Sequence, residues 1–489
     1  MATYNVLNNL VPVGTQQTFS QDISTTGITG ANIGIMHTLN FPIQGEAALL
    51  FHGYRNDTGA YNGEAAIATA YTVGSAILEV MDTDGTTVLS RWAGAGSGTV
   101  AVGGTLFVTF AGLPYMAAGS KVRVVYNVGI ATTGTTYHYT NVTAASHGAL
   151  YESFTGAVTN RATVADASSI PSANGFSIFC PLFYAKPVGK VLTMSLHGDS
   201  LSDNTEYFDP RGPHTWGWLA RAVYDSGKPI SLINFATAAS RVEENTNNGA
   251  KFVAFRMSLD QAERSVVFLG TNDLIAGDSA STIIAKIENF VRLLEQKGKD
   301  VWVCTLPPEQ NTTTDEYIAN CADENAARLA IRRSVNDWIR STQKYIDISK
   351  LVSNSTAEEP DGAQWALPTA PVNASALSIA ASPASTTTRF YWTTASDPNR
   401  IYRELYGDKF KFRANTTTVA LQSATTEGTG SSVSGANNLS DVSSALAATP
   451  ATGDTFDIYE AYTRDGIHFA PGAVKAISSS TEVGKALAI

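Results

Sequence analysis

The chain has 489 residues, with 33 lysines and arginines against 43 aspartates and glutamates, a formal net charge of −10. That balance excludes nucleic acid as the main partner, because phosphate binding needs a cationic face. A hydrophobic content of 44% excludes wholesale disorder, and at ~150 residues per domain two to four domains are expected. Charged residues make up only 16%, below the ~25% usual for soluble proteins. Such a surface is built from hydroxyls and small residues, as in many β-rich extracellular or virion proteins.

Cys180, Cys304 and Cys321 match neither a disulfide framework nor a zinc pattern. Cys304, inside the apolar run VWVCTL, reads as a core thiol. No run approaches ~18 consecutive apolar residues, so no membrane span is expected. The stretch MATYNVLNNLVPVG lacks a basic region followed by an apolar one, so no Sec signal is visible. An extracellular or virion-associated location reached by another route is expected, with the cytoplasm left open.

Residues 1–185 read as strands. Residues 1–190 hold 7 Lys+Arg and 9 Asp+Glu, which makes this region especially poor in charge. SAILEVMD, the turn Asp84-Gly85 and TTVLSRW form a hairpin signal. GTLFVTF and SKVRVVYNV follow, separated by a Gly/Pro loop. Short strands at this spacing suggest an all-β sandwich or jelly roll, with a structural, oligomerising, carbohydrate-binding or attachment role. His37, His52, His138 and His147 lack ligand spacing and read as ordinary hydrogen-bonded histidines.

The pattern changes after Pro187. VLTMSLH, ISLINFAT, SVVFLG, DVWVCTLPP and KYIDISK read as buried strands. Between them, GPHTWGWLARAVYDSG fits a helix with Pro213 near its start and Gly227 after its end. STIIAKIENFVRLLEQKG places Ile283, Ile287, Phe290, Val291 and Leu294 on one helical face. CADENAARLAIRRSVNDWIRST does the same with Ala327, Ile331, Val335 and Trp338. Strands apolar on both faces that alternate with helices predict a parallel sheet covered on both sides, a doubly wound α/β layout. Residues 354–455 interrupt it with a Ser/Thr/Ala-rich insertion holding strand-like RFYWTT and TTTVALQ, and residues 456–489 close it with a loop and a short helix.

Three clusters fall in chain order at the carboxyl edge of that sheet, where ligands bind in such folds. His197-Gly198-Asp199-Ser200 follows the first strand and presents a hydroxyl there. Gly270-Thr271-Asn272-Asp273 follows the third and offers a side-chain amide; by itself it also reads as a helix-capping turn. Asp465-Gly466-Ile467-His468 precedes the last helix and allows a carboxylate to orient an imidazole, though alone it also reads as a surface loop. Together they supply a nucleophile, an oxyanion donor, and a base with its orienter.

On these residues the chain resembles the SGNH hydrolases, the GDSL esterase/lipase family. Gly198-Asp199-Ser200, Gly270-Thr271-Asn272-Asp273 and Asp465-Gly466-Ile467-His468 match three of its four blocks. The glycine block, normally Asn-x-x-x-Ser-Gly, is met by Asn234-Phe235-Ala236-Thr237-Ala238-Ala239, with Ala239 where the family has glycine. The resemblance implies a doubly wound, flavodoxin-like hydrolase fold split between residues 186–353 and 456–489. It implies that Ser200 attacks an ester carbonyl, His468 takes its proton and Asp465 orients His468. The N–H groups of Ser200 and Ala239 and the amide of Asn272 would hold the oxyanion. No metal or organic cofactor is implied.

The substrate expected is an O-acetylated carbohydrate or polysaccharide. Tyr207, Phe208, Trp216 and Trp218 follow the nucleophile and suit stacking on sugar faces, with Tyr207 and Trp216 the two retained as substrate-binding candidates. His197 and His214 are read as packing or rim residues. The insertion is expected to wall the cleft or touch a neighbouring subunit. The whole architecture is similar to phage tail-spike deacetylases, which suggests a homo-trimer or attachment to a larger assembly through residues 1–185. The alternatives are a general esterase or lipase with an accessory domain, and a non-catalytic attachment protein with a degenerate hydrolase domain.

Overall fold

A strand that is apolar at every position needs cover on both faces, and the segments after Pro187 meet that need in a single sheet. The computed structural model describes residues 9–13, 15–17, 21–24, 27–57, 62–131, 136–143, 149–172, 175–202, 217–246, 254–309, 323–366, 377–379, 386, 389–393, 411–414, 430–432, 437–441, 449, 451–459, 467–469 and 471–488. Six strands build the sheet: β1 (Thr15–Gln17), β2 (Leu192–Gly198), β3 (Ile230–Asn234), β4 (Arg264–Phe268), β5 (Asp300–Cys304) and β6 (Tyr345–Ile346). Their order is β1-β3-β2-β4-β5-β6 and every pairing is parallel. From β2 the chain steps to β3 on one side, then returns to β4 on the other. The strand order therefore reverses at β2 and β4, and a crevice opens beyond their carboxyl ends.

Alternate residues enter different cores. Met194 and Leu196 of β2 and Val266 and Phe268 of β4 pack with helices α1 (Trp218–Asp225), α7 (Pro471–Ser478) and α8 (Thr481–Ala486). Val267 of β4 and Val301 and Val303 of β5 pack with α4 (Ala280–Glu295) and α5 (Ala326–Thr342). Helix α4 buries Ile283, Ile287, Phe290, Val291 and Leu294, the five positions its periodicity marks. Three other expectations are corrected. Helix α1 starts at Trp218, after Gly217 at φ +82°, rather than near Pro213, which lies outside the described residues. Strand β6 is only two residues long, because Asp347 turns the chain and caps helix α6 (Ile348–Val352). Helix α5 buries Arg332, Val335, Asn336 and Ile339 and leaves Ala327 exposed. Its face is rotated because Arg332 is fully paired, donating to Glu324, Ser349 Oγ and the Gly362 carbonyl. A satisfied guanidinium is tolerated where an unpaired one is not.

The N-terminal region contains two antiparallel sheets that share one core. One holds Val11–Pro12, Ile43–His52, Thr105–Met116 and Leu182–Pro187; the other is built around Gly30–Thr38, Tyr71–Met81 and Lys121–Ile130. Ala47, Leu49 and Phe51 face Val122, Val124, Tyr126 and Val128 across it. The Asp84-Gly85 hairpin joins Tyr71–Met81 to Val88–Ala93, with Gly85 at φ +81°. The expected Gly/Pro loop after GTLFVTF is instead a continuation of the Thr105–Met116 strand, with register shifts at Gly112 and Pro114 that act as bulges. His37 packs its ring against Phe183, and His52 is buried. The His138 side chain and His147 lie outside the described residues.

This β region is joined to the parallel sheet in two ways. Leu50, Leu182 and Tyr184 share a core with Ile233, Phe235 and Leu259. Strand β1, from the N-terminal segment, pairs with β3, and Ser231 Oγ donates to the Pro12 carbonyl at 2.7 Å. Residues 377–459 contain a six-stranded antiparallel sheet that includes Arg389–Thr393 and Thr455–Tyr459, so the sheet runs four residues past the boundary expected at 455. TTTVALQ lies outside the described residues. Among the described residues, no helix is long and apolar enough to cross a membrane. Cys304 is buried, as its apolar context predicts, and Cys321 lies outside the described residues.

Candidate active site

Ser200 lies two residues beyond the end of β2, at the crevice. The turn that carries it needs Gly198, since a Cβ there would meet Ser202 Cβ at 2.5 Å. Ser202 N–H closes the turn on the Asp199 carbonyl at 3.0 Å. Asn234, at the end of β3, donates from Nδ2 to the Ser202 carbonyl at 2.7 Å and fixes the turn from the side.

The chain leaving β3 is tied to the same place. Thr237 N–H donates to the Gly198 carbonyl at 3.0 Å, and Ser240 N–H donates to the Thr237 carbonyl at 3.1 Å. In that four-residue turn Ala239 is third and sits at φ +61°. A turn with positive φ at its third residue favours glycine, which accounts for the residue type expected there. Ala239 keeps the N–H and accepts the strain.

Asn272 is the second residue of helix α3 (Thr271–Ile275), which follows β4, the strand next to β2 in the sheet. Its Nδ2 lies 3.3 Å from Asp199 Oδ2 and 3.1 Å from the Ser240 carbonyl. The amide nitrogen thus bridges the residue before Ser200 and the residue after Ala239. The neighbouring Asp273 is buried, accepts from Val242 N–H at 3.0 Å and pairs with Lys286 at 3.0 Å. The bond from Val242 clamps α3 to the segment following Ala239.

His468 comes from the far end of the chain. Its Nε2 lies 3.0 Å from Ser200 Oγ. The next residue, Phe469, is held between Phe268 of β4, stacked at 6.0 Å, and Trp365, edge-on at 6.0 Å. Trp365 lies in the segment that follows helix α6. That segment is secured where Asp361 accepts from Asn336 and Arg340 of helix α5. Sequence reasoning did not single out Trp365 or Phe469. The aromatic directly after the Asp-x-x-His cluster was the available signal.

Asp199 carries a buried carboxyl, 1% exposed. Burial pushes it up to about 7, and the nearby Asp273 charge adds to this; the Leu201 N–H and the charge of His468 act against it. The expected residues Asp465, Tyr207, Trp216 and His214, together with Phe208, lie outside the described residues. Trp218 is buried edge-on to Phe268 and is a core residue, not a sugar platform. His197 faces away from the crevice, stacks on Phe235 and pairs with Asp260 at 3.0 Å, the packing role expected for it. Among the described residues, no group of three or more His, Cys, Asp or Glu could hold a metal ion.

Residues 196–479 match the GDSL-like lipase/acylhydrolase family. The chain belongs to that family. No curated protein matches this family member. Among solved structures, a carbohydrate acetylesterase family member from Sinorhizobium meliloti is 17% identical, covering 35% of this chain and 88% of its own, with a TM-score of 0.26. A variant of an acetyl-xylooligosaccharide esterase from Geobacillus Stearmophilus is 14% identical over 34% and 79%, with a TM-score of 0.24. The psychrotrophic esterase EstA from Pseudoalteromonas sp. is 13% identical over 32% and 76%, also at 0.24.

Proposed function

We propose that this acylhydrolase is a serine esterase that removes O-acetyl groups from a carbohydrate. The observation that carries the reading is the 3.0 Å approach of His468 Nε2 to Ser200 Oγ at the sheet's carboxyl edge. Ser200 Oγ attacks the ester carbonyl as His468 Nε2 takes its proton. The oxyanion is held by the N–H groups of Ser200 and Ala239 and by Asn272 Nδ2. The intermediate collapses, and His468 returns the proton to the departing sugar oxygen. Water, deprotonated by His468, then attacks the acyl-enzyme and releases acetate and free Ser200. Asp465 is assigned the orientation of His468.

Support for a carbohydrate comes from the composition and from the β region that shares a core with the hydrolase sheet. We assign residues 1–185 to a β-sandwich that positions or attaches the enzyme, and residues 186–353 and 456–489 to the hydrolase. The strand order and the two cores support a doubly wound, flavodoxin-like reading of the latter. Residues 354–455 are assigned to an insertion that walls the cleft, and Tyr207 and Trp216 are retained as substrate-binding candidates.

The test is hydrolysis of p-nitrophenyl esters of rising chain length by wild type and Ser200→Ala, followed by acetate release from acetylated glycans. Loss of activity in the variant, preference for acetyl and acetate release from a glycan are expected. Equal rates for both proteins would remove the catalytic claim, and activity rising with chain length would favour a lipase.

A further inference from the structure

Asp199 is the buried charge at this site that the mechanism leaves without a task. Its carboxylate is 1% exposed, and among the described residues no lysine or arginine pairs with it. A buried carboxylate is costly unless its oxygens are hydrogen-bonded. Here Oδ1 accepts from Leu201 N–H at 2.9 Å and Oδ2 faces Asn272 Nδ2 at 3.3 Å. The other acceptor near that nitrogen is the Ser240 carbonyl at 3.1 Å. An amide carries two donors on nitrogen and an acceptor on oxygen, and its two ends have nearly the same shape. Sterics alone therefore do not decide which end faces the nucleophile. With Asp199 ionised, as it is above about pH 7, both neighbours only accept and do decide it, because either would repel Oδ1.

We propose that Asp199 is a positioning residue: its carboxylate, together with the Ser240 carbonyl, keeps the nitrogen end of Asn272 turned toward Ser200, and its Oδ2 holds the place on that nitrogen that the substrate oxyanion takes during acyl transfer. This rests on the esterase reading for its catalytic consequence, but not for the geometry of the amide. The longer of the two contacts is the one to Asp199, so it is the one given up when the oxyanion forms. Asp199 touches no reacting atom in this scheme and acts through Asn272.

The conservative replacement separates this role from a structural one. Asp199→Asn keeps the shape but gains a donor, which can pair with Oδ1 of a reversed Asn272 amide. A residue needed only for packing would be rescued by asparagine. The expected result with p-nitrophenyl acetate is a fall in kcat of roughly 10- to 100-fold in Asp199→Asn, with KM nearly unchanged, as for loss of part of an oxyanion donor. In the Asn272→Ala background the same change is expected to cost less than about 3-fold, because coupled residues are not additive. Equal losses in both backgrounds, or full activity in Asp199→Asn, would overturn the proposal. A neutron crystal structure of Asp199→Ala, which tells the amide nitrogen from its oxygen, gives a readout without catalysis: the Asn272 amide is expected reversed or displaced from the Ser240 carbonyl. A single unchanged orientation there overturns the positioning role. Wild type inactive toward every ester would instead end the esterase reading, leaving the crystal structure to decide the role of Asp199.

Discussion

His468 Nε2 lies 3.0 Å from Ser200 Oγ although 268 positions separate the two residues in the chain. In the proposed mechanism a hydroxyl and an imidazole at that distance act as one nucleophile, so removing either would remove both. Ser200→Ala and His468→Ala are each expected to lower kcat for p-nitrophenyl acetate by about 10⁴-fold or more. The double variant should be no slower than Ser200→Ala. Losses that multiply in the double variant would mean that the two side chains work separately.

Asn272 is expected to matter to the transition state and little to the bound ester. Asn272→Ala should lower kcat by roughly 10²–10³-fold and leave KM close to wild type. Steady-state kinetics over a range of ester concentrations checks the split. A change confined to KM would make Asn272 a substrate contact and not an oxyanion donor.

The residues of this constellation that were legible in the sequence lie in short motifs beside buried strands. Ser200 follows the apolar run of β2 and Asn272 that of β4, so local pattern and sheet topology place them together without further information. Helix α4 was legible for the same reason, since its five buried apolar residues follow one period. Helix α5 was legible as an element but not in its buried face, because that face carries Arg332 and Asn336, whose partners Gly362 and Asp361 come from another segment. Trp365 was hidden likewise: it reaches Phe469 from a segment that reads as a Ser/Thr/Ala-rich insertion. The task of Asp199 was hidden because it depends on an amide 73 positions away.

Ala239 occupies backbone space that favours glycine, at φ +61°. The left-handed region costs alanine about 1–2 kcal/mol, and glycine's greater freedom in the unfolded chain offsets about half of that. Ala239→Gly should therefore stabilise the fold by up to about 1 kcal/mol and leave ester hydrolysis intact, since the N–H is retained. Ala239→Val, β-branched at positive φ, should destabilise it. Chemical denaturation of the three proteins decides this; a destabilised glycine variant would mean that the alanine methyl makes a contact worth more than the strain.

The raised carboxyl of Asp199 gives stability a pH dependence of definite sign. In the fold it titrates at about 7, against about 3.9 for an unperturbed aspartate. Between those values the folded state binds the proton and the unfolded state does not, so this group weakens the fold as pH rises from about 4 to about 7. Asp199→Asn cannot ionise. Its stability relative to wild type should rise through that window and level off above it, by roughly 4 kcal/mol at most. Glu244 and Glu309 are also pushed up to about 7 by burial and act with the same sign. They are common to both proteins and cancel in the difference. Unfolding free energies measured from pH 4 to pH 8 test the point, and a constant difference would mean that Asp199 ionises as an exposed carboxylate does.

Trp365 reaches the neighbourhood of His468 through its edge-on contact with Phe469. Its indole is buried, and its edge-on partner Phe469 adjoins His468 in the chain. Trp365→Ala should leave a cavity and cost about 3–5 kcal/mol of stability. Because Phe469 would lose one of its two aromatic walls, the imidazole beside it should sample positions away from Ser200, and kcat should fall in protein that is still folded. Trp365→Phe keeps a ring against Phe469 and should lose less of both. Activity measured well below each variant's melting temperature separates the two effects. If Trp365→Ala is destabilised yet turns over ester at the wild-type rate, then the stacking of Phe268 on Phe469 is enough to hold His468, and the segment after helix α6 serves the fold alone.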